Sequence, residues 1–179
     1  LSREYFTSKA QLFLISQLFD KLKIKDKKTK DKTILSIGCG DGNELKVLKR
    51  YGKVDVLDID KKSVGLISKK DYVNSFIKDI CKFESKNKYD IIVGFDVLEH
   101  IKDDEMAIRH IRDALKPEGY FIFTVPAHQG LFSAHDKALK HYRRYDKKEI
   151  INKLTRNKFN IRYISYRYFF LFIPVAISK

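Results

Sequence analysis

The sequence predicts a single α/β domain with a mostly parallel central sheet and helices on both faces. Short β-rich apolar runs alternate with amphipathic helical periods along the chain, and a glycine-rich turn follows the first full strand. The length agrees, since 179 residues build one core without disulfide or metal staples. Right-handed crossovers then bring the carboxyl ends of the strands to one edge, where such sheets bind ligands.

From Tyr5 to Leu22, apolar residues at 5, 6, 12, 13, 15, 18, 19 and 22 follow a period near 3.6 and predict a helix. The Lys-rich run 21–32 ends it, so residues 1–32 read as an N-terminal helix and a solvated linker. Residues 33–126 carry strands at Thr33–Ile37, Lys53–Leu57, Val73–Ile77, Tyr89–Phe95 and Gly119–Val125, the last closed by Pro126. Helices are expected over Asn43–Tyr51, Lys61–Lys69 and Asp103–Leu115, the third stopped by the Lys116–Gly119 turn. Residues 127–146 show no clear period and read as an insertion after the fifth strand. The remainder, 147–179, gives a helix at Lys147–Lys158, an aromatic strand at Phe159–Tyr168 and an apolar tail. No internal repeat or second domain is visible.

Composition narrows the function classes. There are 37 Lys+Arg against 23 Asp+Glu, a net charge of +14, but 28 of the basic residues are Lys scattered from Lys9 to Lys179. A phosphate-tracking surface clusters its basic residues and interleaves aromatic platforms, so this charge argues for Lys bias and against nucleic acid as a partner. The 44% hydrophobic content, with 13 Phe and 10 Tyr, excludes intrinsic disorder. Two cysteines without a CxxC pair exclude a disulfide framework and fit a reducing, cytoplasmic setting. The opening residues do not read as a signal peptide, and the apolar run Tyr168–Ile177 is only ten residues, whereas a span needs about 20. No transmembrane segment is expected. The chain begins at Leu1 without Met, and truncation at both ends is one reading.

The most informative segment is Ile34-Leu-Ser-Ile-Gly-Cys-Gly-Asp-Gly-Asn-Glu-Leu45. Gly38, Gly40 and Gly42 let the backbone turn sharply from strand to helix and approach a ligand closely. A dinucleotide fingerprint needs a glycine at 43, where this chain has Asn43, so a nicotinamide oxidoreductase is disfavoured. Asp58 closes the second strand, where a carboxylate can accept from both hydroxyls of a ribose. Asp79 follows the third strand, where a carboxylate can accept from an exocyclic amine. Singly each reads as a cap or a surface residue; three motifs in order at consecutive strand ends do not.

With these motifs, Tyr89-Asp-Ile-Ile-Val-Gly-Phe-Asp-Val-Leu-Glu-His-Ile101 and Leu115-Lys-Pro-Glu-Gly-Tyr-Phe-Ile-Phe-Thr-Val-Pro126, the sequence resembles the class I S-adenosylmethionine-dependent methyltransferases. The resemblance implies a Rossmann-like fold and S-adenosyl-L-methionine as cofactor, released as S-adenosyl-L-homocysteine. It implies that Gly38, Cys39, Gly40 and Gly42 line the methionine and ribose portion, and that Asp58 holds the ribose with Ile59 on the adenine. It further implies that Asp79 and Ile80 read the adenine edge and that Phe95 lies near the sulfonium. One departure stands out: the family places an acid two residues before the first loop glycine, and this chain has Ser36. The resemblance also implies a seventh, antiparallel strand, for which no convincing run remains. The apolar tail then reads as the stump of a buried element or as an interfacial patch in peripheral membrane contact.

Methyl transfer is an in-line displacement, and an oxygen nucleophile often needs a base, for which His is poised near neutral pH. Of His100, His110, His128, His135 and His141, His110 lies mid-helix and reads as structural. His100 follows the fourth strand, near the expected methyl group. The segment Val125–Tyr145 adds three His, Asp136, Arg143 and Arg144, and resembles a methyltransferase subgroup with His-Asp and His-Tyr-Arg-Arg-Tyr motifs associated with glycan or cell-envelope synthesis. His135, His100 and Arg144 are the catalytic candidates; a packing layer tying the insertion to the body is the plainer reading of the Arg and Tyr residues. His135, Asp136 and His141 lack an ordered metal-ligand spacing, and no metal is expected. The reading is methyl transfer to a small hydroxyl- or carboxylate-bearing acceptor, of which a sugar or lipid-linked glycan is one form. The alternatives are a catalytically silent S-adenosylmethionine-binding subunit and, further off, RNA methylation.

Overall fold

The computed structural model describes residues 12, 15–22, 24, 32–167 and 171–178. Residues 15–21 are helical (α1), as the apolar period predicts; the rest of the expected N-terminal helix, and most of the Lys-rich linker, lie outside the described residues. Seven strands follow: β1 (Lys32–Ile37), β2 (Gly52–Asp58), β3 (Ser75–Ile77), β4 (Tyr89–Phe95), β5 (Leu115–Pro126), β6 (Phe159–Arg167) and β7 (Leu171–Ser178). The helices between them are α2 (Leu45–Leu48), α3 (Lys61–Leu66), α4 (Asp104–Ala114), α5 (Ala134–Ala138) and α6 (Lys147–Arg156). They form one sheet in the order β3-β2-β1-β4-β5-β7-β6. The first five strands pair in parallel, and β7 runs antiparallel to both β5 and β6. This is the Rossmann-like architecture that the alternation predicts.

The seventh strand corrects the reading of the apolar tail. Its backbone pairs from Tyr120↔Ile177 to Pro126↔Leu171 on one side and from Phe159↔Ser178 to Arg167↔Leu171 on the other. The tail is therefore an inner strand of the sheet, neither a stump nor a free patch. Two smaller differences have local causes. The expected Lys116–Gly119 stop lies inside β5, because the ladder shifts register between Tyr89↔Leu115 and Ile91↔Tyr120 and Glu118 takes a positive φ in the bulge. Helix α2 is shorter than the Asn43–Tyr51 period suggests, since turns occupy both its ends.

Alternation along the strands builds a core on each face. Leu35, Ile37, Leu57, Tyr89, Phe121 and Phe123 pack with α4 and α6 on one face. Ile34, Val54, Val56, Ile91, Val93 and Ile122 pack on the other face with Leu18 and Phe19 of α1 and with Leu45 and Leu48 of α2. Polar groups caught between are paired. Buried Asp55 accepts from Tyr89 Oη at 2.9 Å, Lys88 Nζ at 2.9 Å and Asn74 Nδ2 at 2.8 Å. Among the described residues, no helix is long and apolar enough to cross a membrane.

Candidate active site

Four strand ends converge at the carboxyl edge of the sheet, and a cavity of about 680 Å³ opens there. Its volume falls within the roughly 300–1,000 Å³ of small-molecule pockets. The turn after β1 forms one wall. Gly38 has φ +60°, and a Cβ there would stand 2.5 Å from Val97 Cγ2, so only glycine lets the loop pass this close to the β4 end. Gly40 has φ +47° with open space before its Cα, so bare backbone faces the cavity.

The β2 and β3 ends supply carboxylates. Asp58 Oδ2 accepts from Gly40 N at 3.2 Å and Oδ1 from Asp60 N at 2.9 Å, which ties the glycine loop to β2. Each oxygen has a further lone pair free for a ligand donor. Asp60 accepts from Lys62 N and Ser63 N and caps α3, which fixes the turn that carries Ile59, exposed at the rim. Asp79 accepts from Cys81 N at 2.9 Å and starts the short 3-10 turn Ile80–Lys82. Lys78 N donates to Asp58 O at 3.0 Å, so the two strand ends lie side by side and present both acids to one cavity. Leu57 and Ile80 give the floor an apolar surface between them.

Three of the predicted residues sit elsewhere. Cys39 is buried behind the loop; burial and then the Asp58 and Glu44 carboxyls push its thiol up to about 12, so it stays a neutral packing group. Gly42 packs against Ile67. The Phe95 side chain falls on the opposite sheet face, beside the cluster that holds Val93, because strand alternation turns it away; Asp96 and Val97 line the cavity instead. The acid missing at Ser36 comes from another position: Ser36 Oγ donates to Glu44 Oε1 at 2.8 Å. Burial pushes Glu44 up to about 7.

The insertion departs most from expectation. Arg144 is spent on buried Asp136, its Nε on Oδ1 at 2.8 Å and its Nη2 on Oδ2 at 2.9 Å, which corrects its assignment to the acceptor. Arg143 likewise reaches Asp104 Oδ1 at 2.8 Å and donates to the Lys102 carbonyl at 2.7 Å. Tyr145 is fully buried and donates to Asp104 Oδ2 at 2.8 Å. The Arg-Arg-Tyr run is thus the packing layer that ties the insertion to α4. His135 is exposed on α5 and does not line the cavity. His110 Nδ1 bonds the Phe83 carbonyl at 3.0 Å, and His128 stacks on Tyr166 with centroids 5.2 Å apart.

His100 does line the cavity, together with Asp96, Ile101, Lys102 and Tyr142. His141 lies behind it edge to face, centroids 4.6 Å apart, and Tyr142 N donates to the Glu99 carbonyl at 2.8 Å. Burial and the neighbouring His141 lower the His100 imidazole from its ordinary value. Tyr142, Glu99 and Asp96 are site residues that the sequence reading missed. A signal for Asp96 and Glu99 existed in their adjacency to His100; Tyr142 carried none.

The methyltransferase domain family's sequence model matches residues 8–162. The chain belongs to the methyltransferase domain family. Its members include proteins similar to this chain over much of its length. Malonyl-[acyl-carrier protein] O-methyltransferase 1 of Ilyobacter polytropus is 28% identical over 145 residues, covering 74% of this chain and 54% of that protein. The ubiquinone biosynthesis O-methyltransferase of Vibrio campbellii is 28% identical over 102 residues, covering 52% and 43%. This methyltransferase domain therefore spans about half the length of the curated relatives it matches. Among solved structures, magnesium protoporphyrin IX methyltransferase from Synechocystis PCC 6803 with bound SAH superposes with a TM-score of 0.73 at 19% identity, over 94% of this chain and 83% of that one. The fold and the family are those of class I methyltransferases, with S-adenosylmethionine as cofactor.

Proposed function

We propose that this chain transfers the methyl group of S-adenosylmethionine to an oxygen of a small acidic acceptor, a carboxylate or an ionised hydroxyl. The observation that carries the reading is the single cavity in which Gly38, Gly40, Asp58 and Asp79 face His100, Lys102 and Tyr142. When bound, the cofactor supplies an electrophilic methyl group. In this reading Asp58 accepts from the ribose hydroxyls, Gly38 and Gly40 admit the amino-acid portion, and Ile59 and Ile80 enclose the adenine. Asp79 accepts from the exocyclic amine, with its other bond to Cys81 N fixing its rotamer. Phe95 and Cys39 support the loop from behind.

The opposite wall addresses the acceptor. His100 takes the place there that the sequence divides among His100, His135 and Arg144, while Arg144 acts as a positioning residue through Asp136 and His141. Lys102 offers a cation beside it, and Tyr142 closes the rim. Holding the acceptor oxygen in line with the methyl group supplies most of the acceleration such a displacement needs. The O-methyltransferase relatives support oxygen as the acceptor atom. The test is methyl transfer from radiolabelled S-adenosylmethionine to matched panels of carboxylates, phenols, sugars and amines. Label on carboxylate or phenol oxygen, lost in His100→Ala with cofactor affinity retained, is expected. Label on amines alone would overturn the reading.

A further inference from the structure

Behind His100 lies a buried group that nothing in the protein satisfies. Glu99 is 1% exposed, and its Oε2 has no hydrogen-bond partner. The side chain faces two imidazoles: one ligand atom each of Glu99, His100 and His141 lies within 4.8 Å of the others. The charges nearest to Glu99 are Asp96 and Asp136, both acidic, so no side-chain cation answers it. Protonation would remove the charge yet leave the O–H without an acceptor, so it does not discharge the cost of burial.

The rings are held as metal-bound histidines are held. His141 Nδ1 bonds Asp136 Oδ1 at 3.1 Å, which leaves Nε2 as its other ring nitrogen. Asp136 is fixed in turn by Ser133 and by the two-pronged contact from Arg144. The Lys140 backbone hydrogen-bonds the His100 ring. Each ring thus has an outer partner, the arrangement that sets tautomer and orientation around a cation. Asp136 and His141 belong to a site, but as outer partner and ligand, with Glu99 and His100 arriving from the β4–α4 connection where the sequence search looked to His135.

We infer that Glu99, His100 and His141 bind a divalent transition-metal ion at the acceptor wall of the cavity. Two imidazole nitrogens and one carboxylate oxygen are the donor set of zinc and of similar first-row ions, and three protein ligands leave a coordination position open. Because His100 lines the cavity, that position is available to the acceptor oxygen, which the ion would polarise and help to deprotonate. This role rests on the methyl-transfer reading; the binding of the ion does not.

The experiment uses the whole chain, stripped with chelator and dialysed against zinc or manganese chloride, with metal content by mass spectrometry and coordination by X-ray absorption. One ion per chain is expected, with two imidazoles and an oxygen donor at about 2.0–2.2 Å. Glu99→Gln and His141→Ala are expected to weaken binding by tenfold or more. Should either buried variant fail to fold, the exposed His100→Ala carries the comparison, with thermal unfolding as the check. No ion, or equal affinity in wild type and folded variants, overturns the site. S-adenosylhomocysteine titrations with and without metal are run alongside; their failure would count against the methyl-transfer reading and leave the metal result standing.

Discussion

The β1–β3 ends and the insertion after β5 carry similar residue types but use them in opposite ways. At the β1–β3 ends, Asp58 and Asp79 each take short backbone bonds and keep lone pairs facing the cavity. In the insertion, Asp136, Arg143, Arg144 and Tyr145 are consumed by each other and by Asp104. The first region is built to bind and the second to hold position. A charged residue near a pocket says little until its partners are counted.

The contrast can be broken at Asp104. It is 2% exposed and gathers Arg143, Tyr145 and Lys153 Nζ, the last at 2.8 Å. Asp104→Ala strands those partners and is expected to cost about 3–5 kcal/mol of stability in chemical denaturation. Cofactor affinity of the folded fraction should not change. The same contacts hold the Asp104 carboxyl below its ordinary range against the opposing effect of burial. With the folded value depressed, its stabilisation is present above the unfolded carboxylate pKa and is lost as pH falls through the folded one.

Asp58→Ala should do the reverse. Loss of a charge-assisted acceptor is expected to weaken S-adenosylhomocysteine by about 1.5–3 kcal/mol in calorimetry. Its unfolding midpoint should move little, because only the Gly40 and Asp60 amide bonds are lost.

Glu44 sharpens the comparison from inside the binding region. Its folded pKa, about 7, lies above the ordinary 4.5, so the folded chain holds a proton that the unfolded chain has released between those values. Stability should fall as pH rises through that window, and Glu44→Gln should flatten the fall by about 1–2 kcal/mol. Denaturation at pH 5 and pH 8 measures it. The smallest effect concerns the +14 charge: fluorescence titration with RNA should show weak binding that vanishes near physiological salt. Sub-micromolar binding there would reopen RNA as a substrate.

The binding region was legible because its signals are local. Glycine spacing, a strand and a terminal acid lie within a few residues of each other, and the parallel fold brings successive strand ends together without further information. The rest depended on distant partners. Strand β7 was missed because Pro174 interrupts a short apolar run, and its place between β5 and β6 is set by pairing with residues far upstream. Arg143 and Arg144 are adjacent and chemically equivalent in sequence, yet one finds Asp104 and the other Asp136. Glu99 was passed over beside His100 because only the fold shows that its Oε2 is buried without a partner. Phe95 was misplaced by one residue of strand alternation, a step that exchanges the two faces of the sheet.

Calorimetric titration of S-adenosylhomocysteine into the wild-type chain, with NAD as the control ligand, tests most directly that the carboxyl-edge cavity is the cofactor site. The account predicts one saturable site for S-adenosylhomocysteine, weakened in Asp58→Ala, and no heat from NAD. Saturable binding of NAD, or equal affinity for S-adenosylhomocysteine in the wild type and in Asp58→Ala, would contradict it.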